Sequence, residues 1–365
     1  MSRDVEYMQR AIRLARKGLY TSDPNPCVGS VIVKDGEVIG EGWHQCAGER
    51  HAEVNALEQA GDRAEGATVF VTLEPCSHTG KTPPCADALI KAGVKKVVVA
   101  MVDPNPLVAG SGLKKLEDAH IETQSGLLEL QARELNPGFI KRMEAGRPFV
   151  RVKLAMSLDG RTAMASGESQ WISGESSRDD VQRLRAESSA IMTGIDTVLF
   201  DNPSMNVRLS AEQLDVVQVR QPIRIVLDSQ FRMQADVKIT SLEGKCIVYT
   251  TVNVDNTKQY PCKIEKIDAR DGQIDLQALM KDLAAKEINL LHVEAGSVLC
   301  GALLKNDLVD EIIIYMAPHI MGDGAKGLFH LPELEQMKDR VSLKVNDVRS
   351  IGNDIRITVQ PVYCD

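Results

Sequence analysis

Strand and helix signals alternate along most of this chain. Apolar runs of strand length, such as 67-ATVFVTL and 94-VKKVVVAM, are each followed by a segment in which apolar residues recur at helical spacing. Such alternation is typical of helices packed on a sheet, so the sequence predicts an α/β fold. The chain has 365 residues. Because single cores seldom grow beyond ~250–300 residues, this length favours two domains.

The boundary between the two predicted domains falls in 135-LNPGFIKRMEAGRP, which carries proline and glycine near both ends. A second series of strands and helices begins after it, at 149-FVRVKLAM. We therefore assign residues 1–146 to a first domain and residues 147–365 to a second. Two cores of this kind predict two separate activities.

Within the first domain, 28-VGSVIVKDGEVIGEG holds two apolar runs around Asp35-Gly36, a strong signal for a β-hairpin. The apolar spacing predicts further helices near 51–60, 84–92, 112–119 and 127–134, and in the second domain near 175–188, 274–286 and up to about 305. Strands are predicted in the second domain at the runs that start at residues 190, 223, 246, 290, 309 and 355.

Composition excludes several classes of protein. The net charge is −8, and acidic residues outnumber basic ones in both predicted domains, which argues against a nucleic-acid partner. No apolar run approaches the ~18–20 residues that a membrane span requires, and the charged, helical N-terminal segment is typical of neither a signal nor a transit peptide. We therefore expect a cytoplasmic protein without a membrane partner, whose thiols stay reduced.

Three residues have the chemistry of a zinc site. His51 lies at the start of a predicted helix, Cys76 follows a predicted strand, and Cys85 follows two prolines at the start of the next helix. One imidazole and two thiolates suit zinc, and three protein ligands leave its fourth position open for water. An open position indicates catalysis. The sequence therefore predicts a catalytic zinc site.

Glu53 is the predicted proton carrier of that site. It follows His51 by two residues, so the two side chains can serve one site only at the first turn of the helix. Zinc lowers the pKa of bound water, and a carboxylate that is not itself a ligand can carry its proton to a departing amine. A His-x-Glu pair followed by Pro-Cys and a second cysteine is the signature of zinc deaminases.

Other residues could compete for the metal. His44 and Cys46 are nearby rival ligands, although Cys46 is better explained as a small apolar filler. The remaining cysteines lack metal spacing and are interpreted as structural; they are Cys27, Cys246, Cys262, Cys300 and Cys364.

The zinc motif resembles the deaminase half of the bifunctional riboflavin biosynthesis deaminase/reductase family. The resemblance includes the eight-residue step between the cysteines in 74-EPCSHTGKTPPC-85 and extends to 24-PNPCVGSVIV and 103-DPNP-106. It implies a cytidine-deaminase-like zinc domain. It also implies that Asn25, His78 and Lys81 contact the pyrimidine or its ribose phosphate.

The second domain is harder to interpret from its residues alone. It has no G-x-G-x-x-G dinucleotide fingerprint, and the best candidate is 290-LLHVEAGSVLCGALL, a strand that turns into a helix at Gly296. The amides at such a helix start could bind a phosphate, but many strand–helix turns carry glycine.

Several runs in this domain resemble the reductase half of the same family. They are 153-KLAMSLDGRTA, 168-ESQWIS, 183-RLRAESSAIMTGIDTVLFDNP and 293-VEAGSVLCGALL. The resemblance implies a dihydrofolate-reductase-like fold that uses NADPH. Together, the resemblances of the two domains cover roughly residues 5–330.

The resemblance also implies roles for individual residues. It places Ala155, Trp171, Thr197, Asp201 and Gly296 at the cofactor, Ser169, Arg185, Ser204, Arg208 and Glu294 at the substrate, and Lys153 and Asp201 near hydride transfer. On the residues alone, Lys153 and Asp201 are more readily explained as surface charges, Trp171 as a core residue and Asp201 also as a turn former. The chain departs from the family at 203-PSMNVR, where a Leu-Thr pair is more usual before Val-Arg.

The implied function has two steps. The first domain would remove the ring amine of 2,5-diamino-6-ribosylamino-4(3H)-pyrimidinone 5′-phosphate as ammonia. The second would reduce the ribosyl chain of 5-amino-6-(5-phosphoribosylamino)uracil to ribityl with NADPH. The partner is then a small phosphorylated pyrimidine, and enzymes of this kind commonly form homo-oligomers.

Two alternatives stay open. A nucleic-acid deaminase of the tRNA-editing type would use the same zinc chemistry, but it would need a basic, aromatic face that this acidic first domain does not indicate. A non-enzymatic zinc-stabilised binding module would need a fourth protein ligand, for which His78 and Cys46 are the candidates.

Overall fold

The computed structural model describes residues 3–78, 83–106, 108–254 and 260–363. The chain forms two compact units, Met1–Arg147 and Pro148–Asp365. Both units are α/β in composition, as the alternating signals predict. No helix in the described ranges is both long enough and apolar enough to cross a membrane.

The first unit is built on a five-stranded sheet with the order β2-β1-β3-β4-β5. Strands β1 and β2 form an antiparallel hairpin, β1 also pairs antiparallel with β3, and β3, β4 and β5 run parallel. Its elements are α1 (Arg3–Ala15), β1 (Gly29–Lys34), β2 (Glu37–Trp43), α2 (Ala52–Ala60), β3 (Thr68–Val71), α3 (Cys85–Lys91), β4 (Lys96–Val99), α4 (Ser111–Asp118), β5 (Glu122–Ser125), α5 (Glu129–Arg133) and α6 (Pro137–Ala145).

The predicted hairpin is confirmed. Asp35 and Gly36 both have positive φ angles, 52° and 81°, which is the conformation that a two-residue hairpin turn requires. Strand β2 then lies directly under helix α2. A Cβ at Gly42 would come within 2.3 Å of the Ala52 carbonyl oxygen, so only glycine permits this approach. The close packing fixes the start of α2, where His51 and Glu53 lie, over the sheet.

Helices cover both faces of this sheet. Alternate strand residues point to opposite faces, so Val31 packs with Met8 and Phe70 on one side while Ile32 packs with Ala56 and Leu89 on the other. The second face therefore carries α2 and α3, whose starts hold two of the three predicted zinc ligands, His51 and Cys85.

The segment 135–148, predicted as the junction, folds largely as part of the first unit. The side chain of Asn136 accepts a hydrogen bond from the Cys27 amide at 2.6 Å and donates one to the Cys27 carbonyl at 2.9 Å. Helix α6 follows at once and buries Ile140 in the core. Proline at a helix start and glycine at its end are helix caps as readily as loop signals.

The second unit is built on a nine-stranded sheet with the order β11-β10-β9-β8-β14-β6-β15-β18-β17. Neighbouring strands from β11 to β15 are parallel, and β18 and β17 add antiparallel at the far edge. The elements are β6 (Phe149–Ser157), β7 (Arg161–Ala163), α7 (Glu175–Glu187), β8 (Ala190–Gly194), α8 (Ile195–Asp201), α9 (Ala211–Leu214), β9 (Ile223–Leu227), α10 (Lys238–Ser241), β10 (Cys246–Thr250), β11 (Lys263–Lys266), β12 (Ala269–Arg270), β13 (Gln273–Ile274), α11 (Leu276–Ala285), β14 (Leu290–Val293), α12 (Ser297–Lys305), β15 (Glu311–Ala317), β16 (Lys326–Gly327), β17 (Ser342–Ile351) and β18 (Asp354–Val362).

The sequence did not predict α8 or β17. Helix α8 has only seven residues, and β17 lacks a buried face, since nearly all of its residues are exposed. The alternation of polar and apolar residues by which strands are recognised is interrupted in β17 at Asn346-Asp347, where the pairing register shifts. The long central strands, by contrast, are buried and were all predicted.

The parallel strands β6, β14, β8 and β9 all end at the same edge of the sheet. In open α/β sheets ligands bind at the carboxyl ends of the strands, in the crevice between the loops that follow them. The residues after these strands, among them Thr197, Ser229 and Gly296, are therefore brought together although they are distant in the sequence.

Candidate active sites

The three predicted zinc ligands come together in the first unit. His51 Nδ1 lies 3.2 Å from Cys85 Sγ and 3.6 Å from Cys76 Sγ, and all three ligand atoms lie within 4.8 Å of one another. His51 precedes α2, Cys76 follows β3, and Cys85 is the first residue of α3. One nitrogen and two sulfurs converging in this way fit a zinc ion. In the described ranges no other such group of three occurs.

The two thiols differ in acidity. A hydrogen bond from the Cys85 thiol lowers the pKa of Cys76 to about 4, and His51 and the Cys85 backbone amide, 3.3 Å from the sulfur, lower it further. The pKa of Cys85 is raised, first because it donates to Cys76 and then because it is buried. Cys76 is therefore the more acidic of the two thiols.

Glu53 is buried beside these ligands, with 3% of its surface exposed. Burial raises its pKa to about 7, the neighbouring Cys76 adds to the rise, and His51 opposes it. A carboxyl group that titrates near neutrality is suited both to accept and to donate a proton. Position, burial and acidity therefore agree with the predicted role of Glu53.

His44 does not join the ligand group. Its Nε2 accepts a hydrogen bond from the Asn25 side-chain amide at 3.0 Å, and its Nδ1 donates to the Arg50 carbonyl at 3.1 Å. Its ring packs edge to face on that of His51, at 5.4 Å between centroids. His44 thus orients Asn25, one of the predicted substrate contacts.

The sequence named three further residues near this site: Cys46, His78 and Lys81. Cys46 is exposed, so its interpretation as an apolar filler is wrong. His78 is exposed on the loop after Cys76. Lys81 lies outside the described residues.

Glu74 is a residue of this site whose role the sequence did not indicate. Its buried carboxylate accepts hydrogen bonds from four backbone amides, those of Asp103, Gly110, Gly112 and Leu113, at 2.7–3.3 Å. Glu74 thereby ties the loop that begins with 103-DPNP to the segment that carries Cys76. Its place in Glu-Pro-Cys, directly after a strand, was the available signal.

A second site is a cleft of about 1460 Å³ at the carboxyl ends of the parallel strands in the second unit. Every residue that the resemblance placed at the reductase site lines it: Lys153, Ala155, Ser169, Trp171, Arg185, Thr197, Asp201, Ser204, Arg208, Glu294 and Gly296.

A charged cluster forms the inner end of the cleft. Arg185 and Glu294 make a two-pronged ion pair, with Lys153 close enough to interact with both. Burial lowers the pKa of Lys153, and Arg185 adds to this, while Glu294 opposes it. A further buried residue, His292, places its Nε2 3.3 Å from Glu294 Oε1, and burial lowers its pKa. The cluster therefore combines a fixed carboxylate with cations that face the cleft.

The start of helix α12 suits a phosphate of a dinucleotide. Gly296 is the residue before the helix, in extended conformation, and a Cβ built there would meet no atom within 4 Å. The backbone amides at this helix start lie on the cleft wall, beside the end of β14. Trp171 is 72% exposed and holds the guanidinium of Arg178 over its ring at 4.7 Å, so the interpretation as a core residue does not apply.

Ser169 and Arg208 also line the cleft. Ser169 Oγ makes a long contact of 3.5 Å to Asp201 Oδ1. Arg208 is exposed at the surface, but part of its side chain is desolvated. This desolvation and the charge of Arg185 lower the pKa of Arg208. Asn206, at the departure from the family, offers its backbone carbonyl to Arg185 Nη1 at 3.0 Å, while its side-chain oxygen has no partner within the described residues.

Comparisons with known proteins match both units. Residues 148–357 match the family model of the RibD C-terminal domain, and residues 1–101 match the cytidine and deoxycytidylate deaminase zinc-binding region. The riboflavin biosynthesis protein RibD of Escherichia coli K12 is 50% identical over 360 residues, which cover 96% of this chain and 98% of that protein.

Solved structures agree with this match. RibD of Acinetobacter baumannii, form 1, is 45% identical with a TM-score of 0.92, and each chain is covered to 99%. The diaminohydroxyphosphoribosylaminopyrimidine deaminase/5-amino-6-(5-phosphoribosylamino)uracil reductase of Thermotoga maritima is 34% identical with a TM-score of 0.87, again with 99% of both chains covered.

Proposed function

Because the chain belongs to the RibD family of riboflavin biosynthesis proteins, we propose roles for its residues in a deamination and a reduction. The protein is a bifunctional enzyme, a zinc-dependent deaminase and an NADPH-dependent reductase. Its first unit is cytidine-deaminase-like and its second is dihydrofolate-reductase-like.

In the deaminase unit, His51, Cys76 and Cys85 hold zinc. Bound zinc supplies the Lewis acidity that brings the pKa of a water molecule towards neutrality. Glu53 would carry one proton of the water to the ring amine, which leaves as ammonia, and the other to the neighbouring ring nitrogen, so that the ring carbon gains a carbonyl oxygen. The pKa of Glu53 near 7 supports both transfers.

Substrate contacts in this unit come from Asn25, His78 and Lys81. The Asn25 side-chain amide donates a hydrogen bond to His44 Nε2 at 3.0 Å, which fixes the orientation in which Asn25 contacts the pyrimidine. His78 and Lys81 fall between the two cysteines in the sequence, and a lysine cation is suited to the ribose phosphate.

In the reductase unit, NADPH supplies the hydride that converts the ribosyl chain to ribityl. Ala155, Trp171, Thr197, Asp201 and Gly296 would hold the cofactor, with Asp201 near the point of hydride transfer. Arg185 and Arg208 bind the substrate phosphate, with Ser169, Ser204 and Glu294 as further contacts. Lys153 lies close enough to interact with Glu294 and can neutralise charge that develops on the substrate oxygen.

The convergence of His51, Cys76 and Cys85 beside a buried Glu53 is the observation that carries the deaminase proposal. In Glu53→Gln, ammonia release from the diaminopyrimidine ribotide should fall by about a hundredfold or more. NADPH oxidation on substrate that is already deaminated should persist. Glu58→Gln, on the exposed side of the same helix, is the matched control.

Chelation gives an independent check. Removing the metal from the parent protein should stop ammonia release and leave NADPH oxidation unchanged. Loss of both activities in a folded Glu53→Gln protein would contradict separate sites.

A homo-oligomer remains a proposal, supported by one surface. Leu343, Val345, Val348 and Val362 are exposed apolar residues of the β17–β18 hairpin, whose outer strand has no partner on its free edge in the described chain. If two copies associate here, Val345→Lys should yield a smaller species in light scattering. The absence of a nucleic-acid partner and a cytoplasmic location stay predictions of the sequence.

A further inference from the structure

We propose that Arg232 and Lys238 bind the 2′-phosphate of NADPH and thereby select NADPH over NADH. The inference rests on the NADPH-dependent reduction described above. It adds the residues that recognise the phosphate, which no motif in the sequence indicates. Arg232 and Lys238 both line the same cleft as the reductase residues.

The order of strands gives the cleft a direction. Lys153 lies on β6 and Glu294 directly after β14, so the reacting end of the cofactor belongs over these two strands. Strands β8 and β9 follow in the sheet, and the start of α12 borders the cleft beside β14. Since neighbouring strands are about 4.8 Å apart, the cleft reaches roughly 14 Å from β6 to β9. An extended dinucleotide would place its adenosine at the β9 end.

The residues at the β9 end fit an adenosine with a phosphorylated ribose. Ile274 and Leu276 supply apolar surface, and Ser229 supplies a hydroxyl. Arg232 and Lys238 are the cations of this end. The other cations of the cleft lie elsewhere: Lys153, Arg185 and Arg208 interact with Glu294, and Lys326 lies on the strand that pairs with β7. The cleft therefore has two separate groups of cations, which suits two separate phosphate groups.

Arg232 is held in place by its neighbours in the chain. The buried carboxylate of Asp228 accepts a hydrogen bond from the Met233 amide at 2.7 Å, and the Met233 side chain is buried. These contacts anchor the turn after β9 on both sides of Arg232. An arginine presented from a fixed turn meets a phosphate with two parallel hydrogen bonds at a smaller loss of conformational freedom.

The present partner of Arg232 does not prevent phosphate binding. Its guanidinium pairs with Asp196 at 2.7 Å, and both side chains are largely exposed. Exposed pairs of this kind contribute little stability, so a dianionic phosphate can compete for the guanidinium. The Asp196 carboxylate meanwhile keeps Arg232 directed at the start of α8, on the cleft side.

Lys238 is fixed through its backbone. Its amide donates a hydrogen bond to Asn202 Oδ1 at 2.8 Å, which ties the start of α10 to the end of α8. Its ammonium group makes no ion pair within the residues that the structure describes, and the side chain is exposed. Lys238 is therefore available to a ligand.

The test uses Arg232→Gln, Lys238→Gln and the double variant in the full chain. Calorimetry measures the binding of adenosine 2′,5′-bisphosphate and of adenosine 5′-monophosphate, which lacks the 2′-phosphate. Each single variant should lose about tenfold in affinity for the bisphosphate and little for the monophosphate. The ratio of kcat/KM for NADPH to that for NADH should fall in parallel. Lys245→Gln, an exposed lysine at the amino end of β10, is the control for net charge and should leave all values unchanged.

The outcomes separate this inference from the proposed function. If the parent protein binds the bisphosphate more tightly than the monophosphate and the variants keep the same preference, the inference is wrong and another part of the cleft recognises the phosphate. If the parent protein binds neither nucleotide and does not oxidise NADPH, the proposed cofactor site itself is wrong. Both side chains are exposed, so the variants should fold, and unchanged unfolding temperatures would verify this.

Discussion

The guanidinium of Arg185 donates two hydrogen bonds to the carboxylate of Glu294, from Nε to Oε1 at 2.6 Å and from Nη2 to Oε2 at 3.0 Å. This pair joins helix α7 to the end of β14 at the inner end of the reductase cleft. Burial alone would raise the pKa of Glu294, but Arg185, His292 and Lys153 together hold it well below its usual range. The Glu294 carboxylate therefore stays ionised, and its two hydrogen bonds fix the orientation of Arg185 before any substrate binds.

Replacement of Glu294 by glutamine should affect both stability and catalysis. The side chains of Arg185 and Glu294 are only 9% and 14% exposed, so the variant leaves a largely buried guanidinium without its counter-charge. The loss should be about 3 kcal/mol, measured by denaturant unfolding of the full chain. The reductase KM should rise, while ammonia release is unchanged. Asp347→Asn, which breaks the exposed pair with Arg349, should cost well under about 1 kcal/mol. Equal losses in the two variants would refute the special role of the buried pair.

Replacement of Glu74 by glutamine should loosen the loop that follows β4. A side-chain amide keeps one oxygen acceptor, so two of the four backbone amides that now face the carboxylate would face an NH₂ group instead. Hydrogen bonds to a charged group contribute about 1.5–3 kcal/mol each, so the first unit should lose at least about 3 kcal/mol. Hydrogen exchange at Gly110 and Gly112 would report the change. Protection equal to that of the parent protein would show that the carboxylate does not hold the loop.

The stability conferred by Asp159 should depend on pH. Hydrogen bonds from Ser157 and from the backbone amides of Met321 and Gly322 lower its pKa from 3.8 to about 2. Because the folded state binds this proton less readily than the unfolded state, the stabilisation is present above the unfolded value and is lost as the pH falls through the folded one. The difference in unfolding temperature between the parent protein and Asp159→Asn should therefore shrink between about pH 5 and about pH 2. A difference that is constant over this range would contradict the assignment.

Asn206→Thr should leave the reductase activity nearly unchanged. This residue stands where the family more often has threonine, yet the contact to Arg185 is made by its backbone carbonyl. The side-chain oxygen is buried without a partner in the described chain, so removing the amide should stabilise the protein slightly. Steady-state kinetics with NADPH would test this. A loss of more than about tenfold would show that the asparagine side chain contributes to the site.

The sequence by itself determined the features that depend on local chemistry. The Asp35-Gly36 hairpin, the long buried strands and the start of α2 follow from backbone preference and the period of apolar residues. The zinc ligands could be identified because imidazole and thiolate groups are rare and their chemistry restricts their use. The family resemblance supplied the reductase residues, whose types alone would also suit a surface charge or a turn.

Only the tertiary structure decided which of these groups meet. Arg185 and Glu294 are 109 positions apart, and Glu74 reaches amides 29–39 positions away, so no local pattern reports either contact. Helix α6 and strand β17 likewise depend on what lies next to them, since the first is held by Asn136 and Cys27 and the second by β18. The energy of such contacts comes from burial and from charge pairing across the fold. The order of the strands determines which residues come into contact, and the sequence does not show that order.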